Sequence, residues 1–465
     1  MSNILDRIGD VERFLRRSPA WMIVIICFAI ICRRNLDAFL FPILYAEDGS
    51  FTSLTFGYGY TEGFWNITFS RHLPAAGSAI ILTLSRALNT IIFGSDLSYL
   101  PQIVALVSNA LFSLTCATPI LLLGKTYNRA SLILLSLAFA LMPVGSNYNE
   151  IFGRALNYSF WTPIAALTLS IRFYQSPTKS LFTTVVYCLA FALLSLIFIV
   201  NILAPLAITA LICLRALLAR NYRSAGPAAA VAITSILALG VSFAAGNFFS
   251  KGGATGETFF SEKFHEFFLW RLSLFPITEV TGLPKSDFFM SIYAFGVCIA
   301  IFIMAARVIN GKADRRLLFL TVVGIVFANL LAFTFTRGGL SAFPIDYTNS
   351  FPDRYFVYTN LLVLFLIWFA MAESGIIRVA NTFLSIFIIG ALLHPKTFLS
   401  GQYQFTNQSV GTFAEVVCET VSADGAPFPV VEKDGRVALP SYPREAGWTV
   451  SLPTSILDDM RKHCL

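Results

Sequence analysis

The chain has 465 residues, of which 56% are hydrophobic and only 13% charged, and its formal net charge is +7. A soluble globular domain carries roughly a quarter charged residues, so this chain cannot coat a folded surface with solvated groups, which excludes a soluble enzyme and a disordered protein. The Lys and Arg fall in short clusters between long apolar runs, which excludes a nucleic-acid partner and points to a polytopic protein in the lipid bilayer.

A transmembrane helix takes about 20 mostly apolar residues. The first such run is 19–32, preceded by Arg7, Arg13, Arg16 and Arg17. Arg33 and Arg34 follow it where a signal peptide would carry small residues, so an uncleaved helix with a cytoplasmic N-terminus is expected. Further runs lie at 99–124, 130–145, 158–172, 181–200, 202–219, 226–246, 288–306, 317–335, 355–372 and 379–393. They predict an all-α polytopic membrane protein of about 11 transmembrane helices. Residues 75–93 are also apolar, but Arg86 interrupts them. Counting them as a span places Lys125 and Arg129 outside, so they read as an interfacial helix on the outer leaflet.

With the N-terminus inside, 16 of the 33 Lys and Arg fall in short inward segments, 11 are spread over longer outward loops, and 6 lie in the C-terminal tail. That is the positive-inside pattern. The outward face then carries loops 33–98, 146–157, 247–287 and 336–354 of a transmembrane domain 1–393, and a small domain 394–465. The tail pieces FAEVVCETV, PFPVVEKD and WTVSLP are broken by Gly, Pro and Asp and predict a β-rich domain. Cys27, Cys32, Cys116, Cys188, Cys213 and Cys298 lie in or beside apolar runs, where Cys acts as a small hydrophobe. Cys418 and Cys464 are the tail pair, and an oxidising outside predicts a disulfide between them. No Cys/His metal spacing is present, and no metal or other cofactor is expected.

Three outward segments hold ionisable groups at the membrane edge, where they are functional candidates. In LYAEDGSF, Glu47 and Asp48 precede Gly49, early in the first loop. The pair reads either as a catalytic acid with a neighbour or as a solvated turn. In SNYNEIFGRALNYSFW, Glu150 and Arg154 share a helical face, with Asn157 and Trp161 close behind. This reads as a surface ion pair, or as a second acid with an amide and an aromatic platform for a sugar. In SFPDRYFVYTN, Asp353, Arg354 and Tyr355 stand where the chain re-enters the membrane. Arg354 either snorkels to the interface or binds a lipid phosphate. Arg71, His72 and Arg337 are weaker candidates of the same kind.

The order AEDG, then NExxGxxxNxxFW, then DRYF resembles the bacterial C-type (GT-C fold) membrane glycosyltransferases, nearest the O-antigen glucosyltransferases of lipopolysaccharide modification. The resemblance covers the span layout, these motifs and the tail, but not 175–335. It implies transfer of a sugar, glucose by this likeness, from a polyprenyl-phosphate donor to a polysaccharide or lipid-linked glycan on the periplasmic face of a bacterial inner membrane. It implies Asp48, Glu47 and Glu150 as the catalytic acids, and Arg354, Arg154 and Arg71 as cations for the donor phosphate. Asn157, Trp161, Tyr355 and His72 are then sugar or acceptor contacts. The first motif reads AED and lacks a D-x-D, so a catalytic divalent metal is not indicated. A transporter or flippase is the competing class, followed by a lipopolysaccharide ligase or polymerase and a non-catalytic accessory protein.

Overall fold

A computed structural model describes residues 18–44, 46–69, 75–145, 151–176, 180–220, 222, 225–245, 263–310, 313–337, 345–347, 353–394, 412–422, 431–432, 435–441 and 449–461. Helix lies within every one of the predicted apolar runs. In chain order the bundle is α1 (Ala20–Arg34), α2 (Asp37–Leu40), α3 (Ala46–Phe69), α4 (Ala76–Phe93), α5 (Leu100–Cys116), α6 (Thr118–Leu123), α7 (Arg129–Ala140), α8 (Thr162–Gln175) and α9 (Leu181–Ile197). It continues with α10 (Leu203–Leu218), α11 (Ala225–Ala245), α12 (Phe275–Thr281), α13 (Asp287–Ile309), α14 (Ala313–Arg337), α15 (Val357–Glu373) and α16 (Ile377–Leu393). Among the described residues, six helical segments are long and apolar enough to cross a membrane: Ala76–Phe93, Ile199–Leu218, Ala225–Ala244, Asp287–Ile309, Ala313–Thr334 and Arg354–Glu373. Leu100–Cys116, Arg129–Ala140, Leu181–Ile197 and Ile377–Leu393 are apolar but shorter. The segment Arg354–Glu373 is the centre of the bundle, 83% buried, whereas Asp287–Ile309 is 11% buried and presents its apolar side outward.

Side-chain contacts sort the helix ends into two layers. Arg34, at the end of α1, donates to the carbonyls of Ala140 and Met142 at 2.6 and 2.9 Å. At the start of α1, the Ser18 carbonyl accepts from Arg129, the first residue of α7. These two helices are therefore antiparallel. The first layer holds Arg34, Ala140 and the start of α15; the second holds Ser18, Arg129 and Glu373. At 1.5 Å per residue the layers stand about 25 Å apart along α15.

Helix α4 meets the length criterion, yet both of its ends lie at the first layer. Near its start, Ser78 donates to the Ala155 carbonyl at 3.3 Å. Beyond its end, Phe93 stacks on Tyr99 at 4.4 Å, one residue before α5 begins. Helix α5 enters the bundle from that same layer, because its Asn109 meets Cys32 near the end of α1 and its Cys116 lies deeper. The short connector cannot carry the chain back across a bilayer. The exposed residues Leu84, Leu88, Ile91 and Ile92 form one apolar face, while Arg86 turns inward over the rings of Phe56 and Tyr60, both at 4.4 Å. These contacts fit a helix lying along the interface.

The tail is mixed, where a β-rich domain is expected. A three-stranded antiparallel sheet, β1 (Val431–Glu432), β2 (Arg436–Pro440) and β3 (Thr449–Pro453), pairs Val437 with Leu452 and Leu439 with Val450. FAEVVCETV, predicted as a strand, is instead helix α17 (Phe413–Ser422). The reason is a capping box: Thr412 Oγ1 accepts the Glu415 N–H at 3.2 Å, and Glu415 accepts the Thr412 N–H at 2.6 Å. Phe413, Val416 and Val417, buried at helical spacing, face α18 (Thr454–Arg461) and β2. Cys418 is disulfide-bonded and the other six described cysteines are free; Cys464 lies outside the described residues.

The layering predicts sidedness. In a background lacking the six free cysteines, single cysteines at Asp96 and Gly435 should react with a membrane-impermeant thiol reagent from one side. Those at Thr126 and Gly375 should react only from the other. Labelling of Asp96 together with Thr126 would make α4 a true span and invert the loop assignment.

Candidate functional site

Asp48 stands in the first turn of α3 and is 3% exposed. Its carboxylate accepts the backbone N–H of Ala155 at 3.0 Å and of Leu156 at 3.1 Å. These donors open the 3-10 turn Leu156–Trp161, whose first N–H groups have no partner inside the turn. One carboxylate thus joins the start of α3 to the turn Leu156–Trp161. Gly153 has a φ of +69°, and its missing Cβ leaves the place taken by the Asn35 amide. Arg154, 5% exposed, donates to the Ile43 carbonyl at 3.2 Å. The second loop is therefore held by residues of α1's exit, of the run before α3, and of α4.

The 3-10 turn sends its side chains inward. Trp161 is fully buried against Phe112 and Phe152, with ring centroids at 5.3 and 5.6 Å. Asn157 is 2% exposed, and the Tyr158 hydroxyl lies 3.3 Å from that of Thr115. A sugar platform needs an open ring face, so the expectation for Trp161 gives way to a packing role. Asn157 is likewise enclosed in the protein. The residue facing the third motif is Phe160, whose ring meets Tyr355 edge-on at 5.5 Å. Tyr355 belongs to the 3-10 turn Asp353–Phe356 that leads into α15. Arg354 is half-buried and lies 5.1 Å from the Tyr355 ring.

The structure thus brings Asp48, Arg154 and the pair Arg354 and Tyr355 around one turn. Glu47 lies in the first turn of α3, and its side chain, like that of Asp353, is outside the description. Glu150, Arg71 and His72 lie outside the described residues.

Two buried cations escape the sequence reading. Arg34 lies 4.5 Å from the Phe152 ring while it binds the end of α7. Arg271 is 0% exposed in a π-helix, His265–Leu274. It donates to the Val144 carbonyl at 3.3 Å and stacks on Phe275 and Phe356 at 3.8 and 4.6 Å. It therefore lies beside the motif that carries Arg354. Nothing in the sequence signals it: the Arg in WRLSLF has no regular spacing to read, and the π-helix that buries it appears only in the fold.

Asp37 is the third. It is 1% exposed, and both carboxylate oxygens lack a hydrogen-bond partner among the described residues. Burial pushes its carboxyl from 3.8 up to about 6. Among the described residues no group of three or more His, Cys, Asp or Glu is placed to hold a metal.

At the second layer lies a cavity of about 420 Å³, lined by Tyr127, Gln175, Asp314, Arg315 and Glu373 among others. The Tyr127 hydroxyl donates to Glu373 at 2.5 Å and accepts from Gln175 at 3.1 Å. Burial and the neighbouring carboxylate push the Tyr127 phenol well above its usual value.

A carboxyl with a raised pKa supports the fold only while protonated, so Asp37 contributes below about pH 4 and that contribution is lost as the pH rises through about 6. Asp37→Asn should match the parent protein near pH 4 and exceed its stability by up to about 3 kcal/mol at pH 8. Thermal melts in detergent at the two pH values decide it; an unchanged difference would mean that the carboxyl is paired. Trp161→Ala should cost about 3–5 kcal/mol, a loss in the same melts that an exposed platform would not show.

No protein-family model matches the chain, and neither a curated protein nor a solved structure shows significant similarity to it.

Proposed function

We propose that the protein is a membrane glycosyltransferase. It moves a sugar, glucose in the nearest likeness, from a polyprenyl-phosphate donor to a surface polysaccharide such as O-antigen, at the outward face of a bacterial inner membrane. The observation that supports this best is the convergence of three motifs far apart in the chain on one turn: Asp48 on its amides, Arg154 beside it, and Tyr355 with Arg354 against Phe160. An acceptor hydroxyl attacks the anomeric carbon. The bond from that carbon to the phosphate oxygen breaks, its electron pair leaves with the phosphate, and the hydroxyl proton passes to a carboxylate. Asp48 is assigned as that base, because two backbone donors fix its orientation and it sits at the bundle end where a lipid-borne phosphate is held. Arg354, half-buried at the head of α15, is assigned to the leaving phosphate.

A transporter or flippase is the second reading. The cavity around Glu373 at the other layer favours it, since transport uses polar sites on both sides of a membrane. Against it, α15 carries no charged residue between Arg354 and Glu373.

Transfer of labelled sugar from polyprenyl phosphate, in membranes with matched protein levels, tests the assignment. Asp48→Asn should slow transfer about 10²–10⁴-fold. Glu150→Gln should be severe, and Arg354→Ala should chiefly raise the KM for donor. Near-normal transfer by Asp48→Asn removes it as base, and a dead Glu47→Gln beside an active Asp48→Asn exchanges the two roles. Donor movement across the bilayer with no transfer would favour the second reading.

A further inference from the structure

The segment of α3 that follows Asp48 carries Gly49, Ser53 and Gly57 at four-residue intervals, so the three share a face. The C-terminal unit is seated on that face. A Cβ at Gly49 would stand 3.0 Å from the Ser441 side chain, and one at Gly57 would stand 2.7 Å from Arg436 Nη1. Ser53 Oγ accepts the Ser451 N–H at 2.6 Å and donates to the Gly49 carbonyl at 3.1 Å. Arg436 Nη2 donates both to the Ser53 carbonyl at 2.9 Å and to the Ser451 carbonyl at 3.1 Å, joining the helix to β3. A second hold comes from α17, whose Phe413 N–H donates to the Pro42 carbonyl at 2.8 Å. The unit therefore grips the chain on both sides of Asp48, and its own helix is anchored by the disulfide at Cys418.

We propose that the C-terminal unit is a clamp that sets the position of Asp48 against the turn Leu156–Trp161, with Arg436 as its positioning residue. The guanidinium is suited to this because it spans two carbonyls of different elements with a planar set of donors, a geometry that an ammonium cannot copy fully. The small residues bring the sheet close enough for these bonds to form. The clamp does not depend on what Asp48 does chemically; only its effect on sugar transfer rests on the glycosyltransferase reading.

Hydrogen exchange on the full-length protein in detergent tests it, since Asp48 holds the amides of Ala155 and Leu156. Arg436→Ala and Gly57→Leu should each speed exchange about tenfold in 46–57 and at 155–156, with 357–373 unchanged. Arg436→Lys should recover part of the protection. Opening of 46–57 with 155–156 still protected overturns the proposal. So does an equal rise in 357–373 in all three variants, which would mean general loss of the fold. In the transfer assay, Arg436→Ala should lower kcat with little change in KM for donor; normal kcat alongside lost protection upholds the clamp and removes Asp48 as the base. If the parent protein transfers no sugar, the functional reading fails and the exchange result still decides the clamp.

Discussion

A buried carboxylate on two backbone amides organises one end of this protein. Asp48 bonds the N–H groups of Ala155 and Leu156. Irregular backbone at a membrane boundary must find partners within the protein, because lipid supplies none. The turn Leu156–Trp161 is such backbone, and the carboxylate satisfies its opening donors. Its position then decides where Phe160 meets Tyr355 and where Trp161 enters the core. Losing one partner would leave a buried polar group unpaired, at a cost of about 1–3 kcal/mol, so the link holds the two loops as one body.

The rest of that end is built to the same rule. Arg34 takes the last carbonyls of α7, Arg154 takes a carbonyl before α3, and Arg271 takes one beyond α7. Each guanidinium satisfies backbone acceptors where helices stop. Arg34 and Arg271 also rest on aromatic faces, which favour the weakly hydrated Arg over Lys. A charge that looks like a phosphate binder in a sequence can thus be a fastener of helix ends. Arg354 is half-buried and rests on the ring of Tyr355.

The two polar layers differ in kind. The first layer is made of loop backbone and buried guanidinium groups, closed over by the sheet and α17. The second layer is made of short connectors around a cavity with Tyr127 and Glu373. Between them the described helices bury Ser, Thr and Asn but few charged side chains, and the segment Arg354–Glu373 is the most enclosed of the six. This separation follows from the price of burying charge at membrane depth. It confines chemistry to the layers and leaves the middle for packing, as the stack of Trp368 and Phe369 beside Phe365 and Tyr127 shows.

The sequence by itself determined the helical, apolar class and where the helices lie. Bilayer burial demands long apolar runs, and ionisable residues stand out against them. Arg86 inside an apolar run has to turn toward protein, as it does onto Phe56 and Tyr60. The capping box at Thr412 and Glu415 was legible too, but a short run rich in Val resembles a strand until its cap is noticed. Only the tertiary structure decided the rest. Whether Trp161 offers a face depends on Phe112, which comes from α5, and on how the backbone turns Phe152 back onto it. Burial of Asp37 and Arg271 has no local signature, because it is made by neighbours distant in sequence. The seat of the tail on Gly49, Ser53 and Gly57 is of the same kind: small residues permit a close approach, and nothing local says what approaches. Periodicity and composition record how a segment meets its solvent, whereas contacts between segments are set by the folded chain as a whole.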